Sequence, residues 1–304
     1  MDFSRTKKKR NFKNIYDKFV SPYLFIAPYL IFFLVFSLLP VVMSLVLSFM
    51  RWDTISDPVW VGLKNYQTIF DASTLTGEKF WKSVGHTSLF VIIQMPILII
   101  IPFLIAFLLN AKLKGFKFYR ALIYFPAILS VSTVGLIFVV LLDTNLGVIN
   151  KLIGQEIPWL TKMPYQWIAI FLLSTWWGIG GNMTLFTAGL QDIPKELYEA
   201  AEVDGCNSFQ KLIHITIPGL KNTFTYVLTM TTLSCFYVMG QPMMLTPGEE
   251  ETEVAIYYIY NTAFGGYKFG RASAMAIILA LIMSVFSLIT LKRAIGSNLK
   301  NEQR

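Results

Sequence analysis

Six long stretches of this sequence hold no Asp, Glu, Lys, Arg or His. They run near Tyr23–Met50, Thr87–Leu109, Ala121–Leu142, Tyr165–Leu190, Asn222–Gly240 and Ala272–Leu291, each close to or above the roughly 20 helical residues that a hydrocarbon core requires. The missing ionisable groups argue against an ion-coupled secondary transporter of a small polar solute, the main alternative for such a chain, because those proteins place carboxylates or other titratable groups inside their spans. Histidine and cysteine are scarce as well, at two each in 304 residues. Neither His86 nor His214 has a ligand partner at useful spacing, so no metal site is expected. Cys206 and Cys235 are expected to stay free thiols. A membrane enzyme would need a nucleophile with a base, paired acids or a metal cluster. None is present, and no catalytic residue is assigned.

What the chain has instead is apolar bulk. It is 55% hydrophobic and only 14% charged, where a soluble domain carries roughly 25% charge. The sequence is therefore that of an integral membrane protein. Its net charge of +8 does not point to nucleic acid, because the basic residues cluster beside apolar runs rather than along one face. Arg5, Lys7, Lys8, Lys9, Arg10, Lys13 and Lys18 precede the first run; Lys112, Lys114, Lys117 and Arg120 precede the third; Lys292, Arg293, Lys300 and Arg304 follow the sixth. The positive-inside rule assigns all of these to the cytoplasm. The first run is too long for the core of a cleavable signal, about 7 to 15 residues, and is read as retained. The expected architecture is an all-α membrane protein with six transmembrane helices and both termini cytoplasmic. Residues 1–22 are expected to form a basic cytoplasmic N-terminal segment, 23–291 the six-span domain and 292–304 a cytoplasmic C-terminal tail. Proline in or beside the runs (Pro28, Pro40, Pro96, Pro102, Pro126) and the Gly180-Gly181 pair predict kinked, closely packed helices.

Between the fourth and fifth runs lies a polar, helix-forming loop, 191–218. Asp192 is expected to cap a short helix whose early turns hold Pro194, Lys195, Glu196 and Glu199. Gly205 supplies a left-handed stop. Asn207 followed by Gln210 matches a capping box opening a second short helix, and Pro218 precedes the fifth span. A bent helix pair of this kind, projecting from the membrane, is a place for a soluble partner to grip.

The residues of this loop carry a resemblance. Glu199-Ala200-Ala201, three residues, Gly205, nine residues, Ile215 and then Pro218 is similar to the signature of permease subunits of binding-protein-dependent ABC importers, with Ile217 where leucine is usual. Phe118-Tyr119-Arg120-Ala121 with Phe125-Pro126, Gly147-Val148-Ile149-Asn150 and Ile193-Pro194-Lys195-Glu196-Leu197-Tyr198 resemble the carbohydrate-importing branch, of maltose and multiple-sugar type. The chain departs from it at Thr246-Pro247-Gly248, where Gly-Gly-Pro is usual, and acidic residues follow.

The resemblance implies a bacterial inner-membrane subunit that pairs with a second, homologous permease as a heterodimer. Two cytoplasmic ATPase subunits bind ATP and Mg, this chain binds no cofactor of its own, and an extracytoplasmic binding protein delivers the carbohydrate, an oligosaccharide by analogy. It makes the loop a coupling element contacting the ATPase through Glu199, Ala200, Ala201 and Gly205, with Asp204, Asn207 and Phe209 as neighbours. A sugar path needs hydrogen-bonding groups and flat aromatic faces. Trp176, Trp177 and Asn182 in the fourth span, and Ser234, Phe236, Tyr237 and Gln241 at the fifth, are the candidates.

Overall fold

The structure is a computed structural model that describes residues 21–110 and 115–302, with side chains described from 23 to 110 and from 115 to 288. The basic groups from Arg5 to Lys18 and at Lys112 and Lys114 lie outside the described residues, as do the side chains of Lys292, Arg293 and Lys300, and Arg304. The chain is almost wholly helical: α1 (Ser21–Phe33), α2 (Leu39–Leu47), α3 (Lys64–Phe70), α4 (Leu75–Asn110), α5 (Phe116–Tyr124), α6 (Val131–Leu141), α7 (Val148–Ile153), α8 (Tyr165–Gln191), α9 (Lys195–Val203), α10 (Ser208–Lys211), α11 (Ile217–Gly219), α12 (Lys221–Phe236), α13 (Gly240–Leu245), α14 (Ala255–Tyr260) and α15 (Phe269–Glu302). Two short antiparallel strands, β1 (Met50–Arg51) and β2 (Val59–Trp60), pair Met50 with Trp60.

Four stretches are long and apolar enough to cross a bilayer: Tyr23–Leu47, Leu75–Asn110, Tyr165–Gln191 and Phe269–Leu288. A fifth is broken. Phe116–Ile128 and Val131–Leu141 meet at an angle of 100°, so the run at Ala121–Leu142 is a bent pair rather than one helix. Ser130 starts the second half, its hydroxyl accepting from the Thr133 N–H at 3.2 Å. The Trp177 indole N–H donates to the Leu129 carbonyl at 3.0 Å and so satisfies a backbone group at the break. The run at Asn222–Gly240 is helical only to Phe236 and resumes, after a turn, as α13.

Proline acts differently from position to position. Pro96 and Pro102 sit inside an unbroken α4. Before Pro40 and before Pro218 the helix instead widens by one residue: Leu39 donates to the Leu34 carbonyl and Ile217 to the Leu212 carbonyl. A ring without an N–H that crowds the carbonyl four residues back is accommodated by that wider π turn. The Gly180-Gly181 pair does not break α8 either. Gly180 allows close packing, since a Cβ there would lie 2.7 Å from the Tyr124 Cα.

Helix α4 packs along α8, and α12 packs on both. Around Phe103, Met183, Phe186, Leu190, Leu220 and Val227 they bury a core that continues under loop 191–218. A second core, including Phe90, Trp167, Leu173 and Phe236, lies towards the opposite end.

Candidate functional site

The loop is built mostly from short-range bonds. Helix α8 runs through Gln191 and takes Asp192 as its C-terminal residue, with the Asp192 N–H on the Gly189 carbonyl. Asp192 is thus not the cap of α9. Pro194 holds that position, with no side-chain cap, because it can start a helix without losing a donor. At the far end Gly205 has φ +76°. The Cys206 N–H donates to the Ala201 carbonyl at 2.9 Å and the Gly205 N–H to the Glu202 carbonyl at 3.1 Å, the paired bonds of a Schellman stop.

Immediately after the bend, both halves of the capping box are made. The Asn207 side chain accepts from the Gln210 N–H at 2.9 Å, and the Gln210 side chain accepts from the Asn207 N–H at 2.8 Å. Lys211 reaches back across the bend to Glu202 at 2.7 Å and, by that hydrogen bond and its charge, holds the Glu202 carboxyl below its ordinary range. The Tyr198 hydroxyl lies 3.0 Å from that of Thr216. Ile193, Tyr198, Leu212 and Ile215 pack the bent pair onto the core at this end. The segment is a stiff knuckle.

Its outer surface is free. Glu199, Ala200, Asp204, Asn207 and Phe209 are exposed, whereas Ala201 is buried. The alanine pair therefore divides, Ala201 packing inward and Ala200 facing out. Phe209 is 68% exposed, and Val203 beside the glycine is 89% exposed. Val203 and Leu197 are surface members that the sequence reading does not single out. Their signal is that neither falls on the Tyr198–Ala201 face, so an apolar side chain is placed off the packing stripe.

The candidate path residues divide into two groups. Trp177 is tied to the break in the fifth span candidate, as described. Asn182 donates to the Leu98 carbonyl at 2.7 Å and to the Thr231 hydroxyl at 3.0 Å, joining α8 to α4 and α12. Phe236 is buried against Phe286. These three serve helix packing. Ser234 and Tyr237, by contrast, are exposed on α12, Gln241 is half-buried just beyond, and Trp176 is exposed with its ring 5.8 Å from that of Phe138. Ser234 and Tyr237 continue an exposed row of Asn222, Tyr226 and Met230, spaced to share one helix face.

The pattern of the family described as binding-protein-dependent transport system inner membrane component matches residues 104–296. The chain belongs to this family of permeases. Among its relatives, a protein of Bacillus subtilis named probable ABC transporter permease protein YesP is 35% identical, the match covering 89% of each chain. The arabinooligosaccharides transport system permease protein AraP of Bacillus subtilis is 32% identical over 91% of this chain and 89% of its own. The multiple sugar-binding transport system permease protein MsmF of Streptococcus mutans is 32% identical over 86% and 91%. A chain of a bacterial ABC transporter that imports the acidic polysaccharide alginate superposes with a TM-score of 0.79, covering 94% of this chain and 98% of that one. At 22% identity, that likeness shows the shared fold.

At the other end of this permease, the segment after Thr246 is tied down at long range. Lys79 pairs with Glu250, and Lys82 with Glu251 at 2.7 Å. The Trp167 indole donates to the Glu251 carbonyl at 3.2 Å, and Asn261 donates to the Glu253 carboxylate at 2.7 Å. The His86 ring contacts the Glu253 carbonyl at 3.0 Å, so this histidine has a structural partner. The His214 ring likewise contacts the Gln210 carbonyl at 3.0 Å. The acidic residues that follow Thr246-Pro247-Gly248 thus form a strap over α4 and α8.

Proposed function

We propose that the chain is the transmembrane subunit of an ATP-driven importer that carries an oligosaccharide across a bacterial cytoplasmic membrane. It works paired with a second permease, above two ATPase subunits and below a sugar-delivering binding protein. The names of AraP and MsmF support the substrate class. Six spans with both termini inside accord with the four long helices, the bent pair and α12. At 16 residues, α12 is about 24 Å long, short of a roughly 30 Å hydrocarbon core, and α13 completes the crossing.

The observation that carries this reading is the stiffness of the knuckle combined with its open outer face. Moving a gate from 1:99 to 99:1 takes about 5.5 kcal/mol, whereas one hydrogen bond to a charged group contributes roughly 1.5 to 3 kcal/mol. A lone Glu199 contact is therefore too weak. The bent pair works as one docked body, with Glu199, Ala200, Val203, Asp204, Asn207 and Phe209 presented to the ATPase and Gly205 fixing the angle. The sugar path follows the exposed row on α12 through Ser234 and Tyr237 towards Gln241, with Trp176 nearby. A lipid-facing row has no use for those hydroxyls.

The test is ATP-dependent sugar uptake in proteoliposomes holding the full complex. Uptake should stop without ATP and when residues 195–211 are deleted. Concentrative uptake by this chain alone, without an ATPase, would overturn the proposal.

A further inference from the structure

A cavity of about 460 Å³ opens where α4 and α8 end and α5 and α9 begin. Two cations line it, Arg120 from α5 and Lys195 from the first turn of the knuckle helix, together with Asn110 and Gln191. Leu190 and Ile193 supply apolar wall. Among the described residues, no carboxylate lines it. Arg120 is half-buried, and its Nε is shut off from solvent without a hydrogen-bond partner. Among the described residues, neither cation has an acidic partner.

A guanidinium with an unmet buried donor is costly to leave unpaired. Its planar fork suits a phosphate oxygen pair, and a nearby ammonium adds a point charge. The walls are apolar beside the charges, so the complementary group has an anionic head and a hydrocarbon body. We propose that this cavity holds the phosphate headgroup of an anionic phospholipid of the inner leaflet, bridging Arg120 on the broken span to Lys195 on the knuckle. The bound lipid links the knuckle to α5 as well as to α8. The inference rests on the reading that the knuckle end faces the cytoplasm.

The experiment uses the full complex in phosphatidylcholine nanodiscs containing rising fractions of phosphatidylglycerol, with native mass spectrometry counting the phosphatidylglycerol retained on release. The wild type should retain it selectively. Losing charge-assisted contacts in the double variant Arg120→Gln, Lys195→Gln should lower retention roughly tenfold or more, and Arg120→Lys should recover part of it. Retention by the double variant equal to the wild type overturns the proposal. So does unchanged retention with loss of the ATPase subunits, which would make these cations a protein-docking pair. Inorganic phosphate titrated into lipid-free complex tests the other source of the same chemistry: binding that the double variant loses, without selective lipid retention in the wild type, would assign the cavity to free phosphate. Labelling of Cys206 by an impermeant maleimide from outside sealed cells would sink the orientation while leaving the lipid count unaffected.

Discussion

The two polar loops flanking α12 and α13 are held in opposite ways. The knuckle fixes its own shape: its Schellman stop, capping box and Glu202–Lys211 pair join residues no more than nine positions apart. The strap has a short turn and a buried Thr246–Thr252 hydroxyl pair of its own, but its charged side chains borrow rigidity from elsewhere, with Lys79 and Lys82 lying 171 and 169 positions from Glu250 and Glu251. A self-braced loop can be pushed as a unit by something outside it. A loop braced against the body can only move with that body, which suits a fixed wall.

The sharpest way to break this contrast is at Gly205. A side chain there meets nothing within 4 Å, so a substitution acts through the backbone alone. Holding an ordinary residue in the left-handed conformation costs about 1–2 kcal/mol, which corresponds to roughly 5- to 30-fold in the population of the correct bend. Gly205→Leu should therefore reduce ATP-driven uptake by about tenfold, as badly as removing Glu199, with complex assembly intact. Gly205→Asn should keep most of it, since asparagine tolerates that conformation. Normal uptake by the leucine variant in vesicles would show that the angle is not the coupling feature.

Within the membrane, the two groups of candidate path residues should fail differently. Asn182→Ala strips partners from the Leu98 carbonyl and the Thr231 hydroxyl, at a cost of about 1–3 kcal/mol, and should lower the thermal stability of the purified chain. Tyr237 is 65% exposed, and Tyr237→Ala should leave the melting temperature in place and slow sugar uptake several-fold. Equal melting losses in both variants would erase the distinction between packing and path.

What could be read in advance follows the range of each interaction. The capping box and the glycine stop are contacts between residues three to five apart, and Asn207, Gln210 and Gly205 announce them without knowledge of the fold. Asp192 was open to misreading because its role depends on where α8 ends, and tertiary packing carries α8 on through Gln191. The break after Ile128 has a local sign in Ser130 and Thr133, but the group that satisfies its Leu129 carbonyl, Trp177, comes from another helix. For that reason the bonds that Trp177 and Asn182 make to other helices are visible only in the structure. The ion pairs of the strap have no local signature, because Glu250 and Glu251 are paired with lysines far away in α4.

A smaller effect is expected from the local staple on its own. Asn207→Ala removes a cap worth about 1 kcal/mol, while the Schellman bonds before it remain. Uptake should fall by a few-fold, well short of Gly205→Leu, and hydrogen exchange should quicken at residues 207–211 while 195–203 keeps its protection. Loss of protection across both helices would mean that the knuckle has a single brace instead of two.

The strap should give the smallest change and the clearest pH signature. Hydrogen bonds from Lys79 and Lys82, reinforced by their charges, hold Glu250 and Glu251 below the ordinary glutamate value of 4.5. Because the lowering belongs to the folded state, the stabilisation is complete above that value and is lost as pH falls through the lowered one. The protection of residues 248–254 against hydrogen exchange, after correction for the intrinsic pH dependence of exchange, should therefore stay constant from neutrality down to about pH 5 and fall below about pH 4. In Glu250→Gln, Glu251→Gln protection should already be low at neutral pH, with the pH step gone. Exposed pairs are screened by salt, so concentrated salt should shift the wild type towards the variant while the knuckle, braced mainly by backbone bonds, keeps its protection. A knuckle that loosened with salt as much as the strap would contradict the division between a self-braced element and a borrowed one.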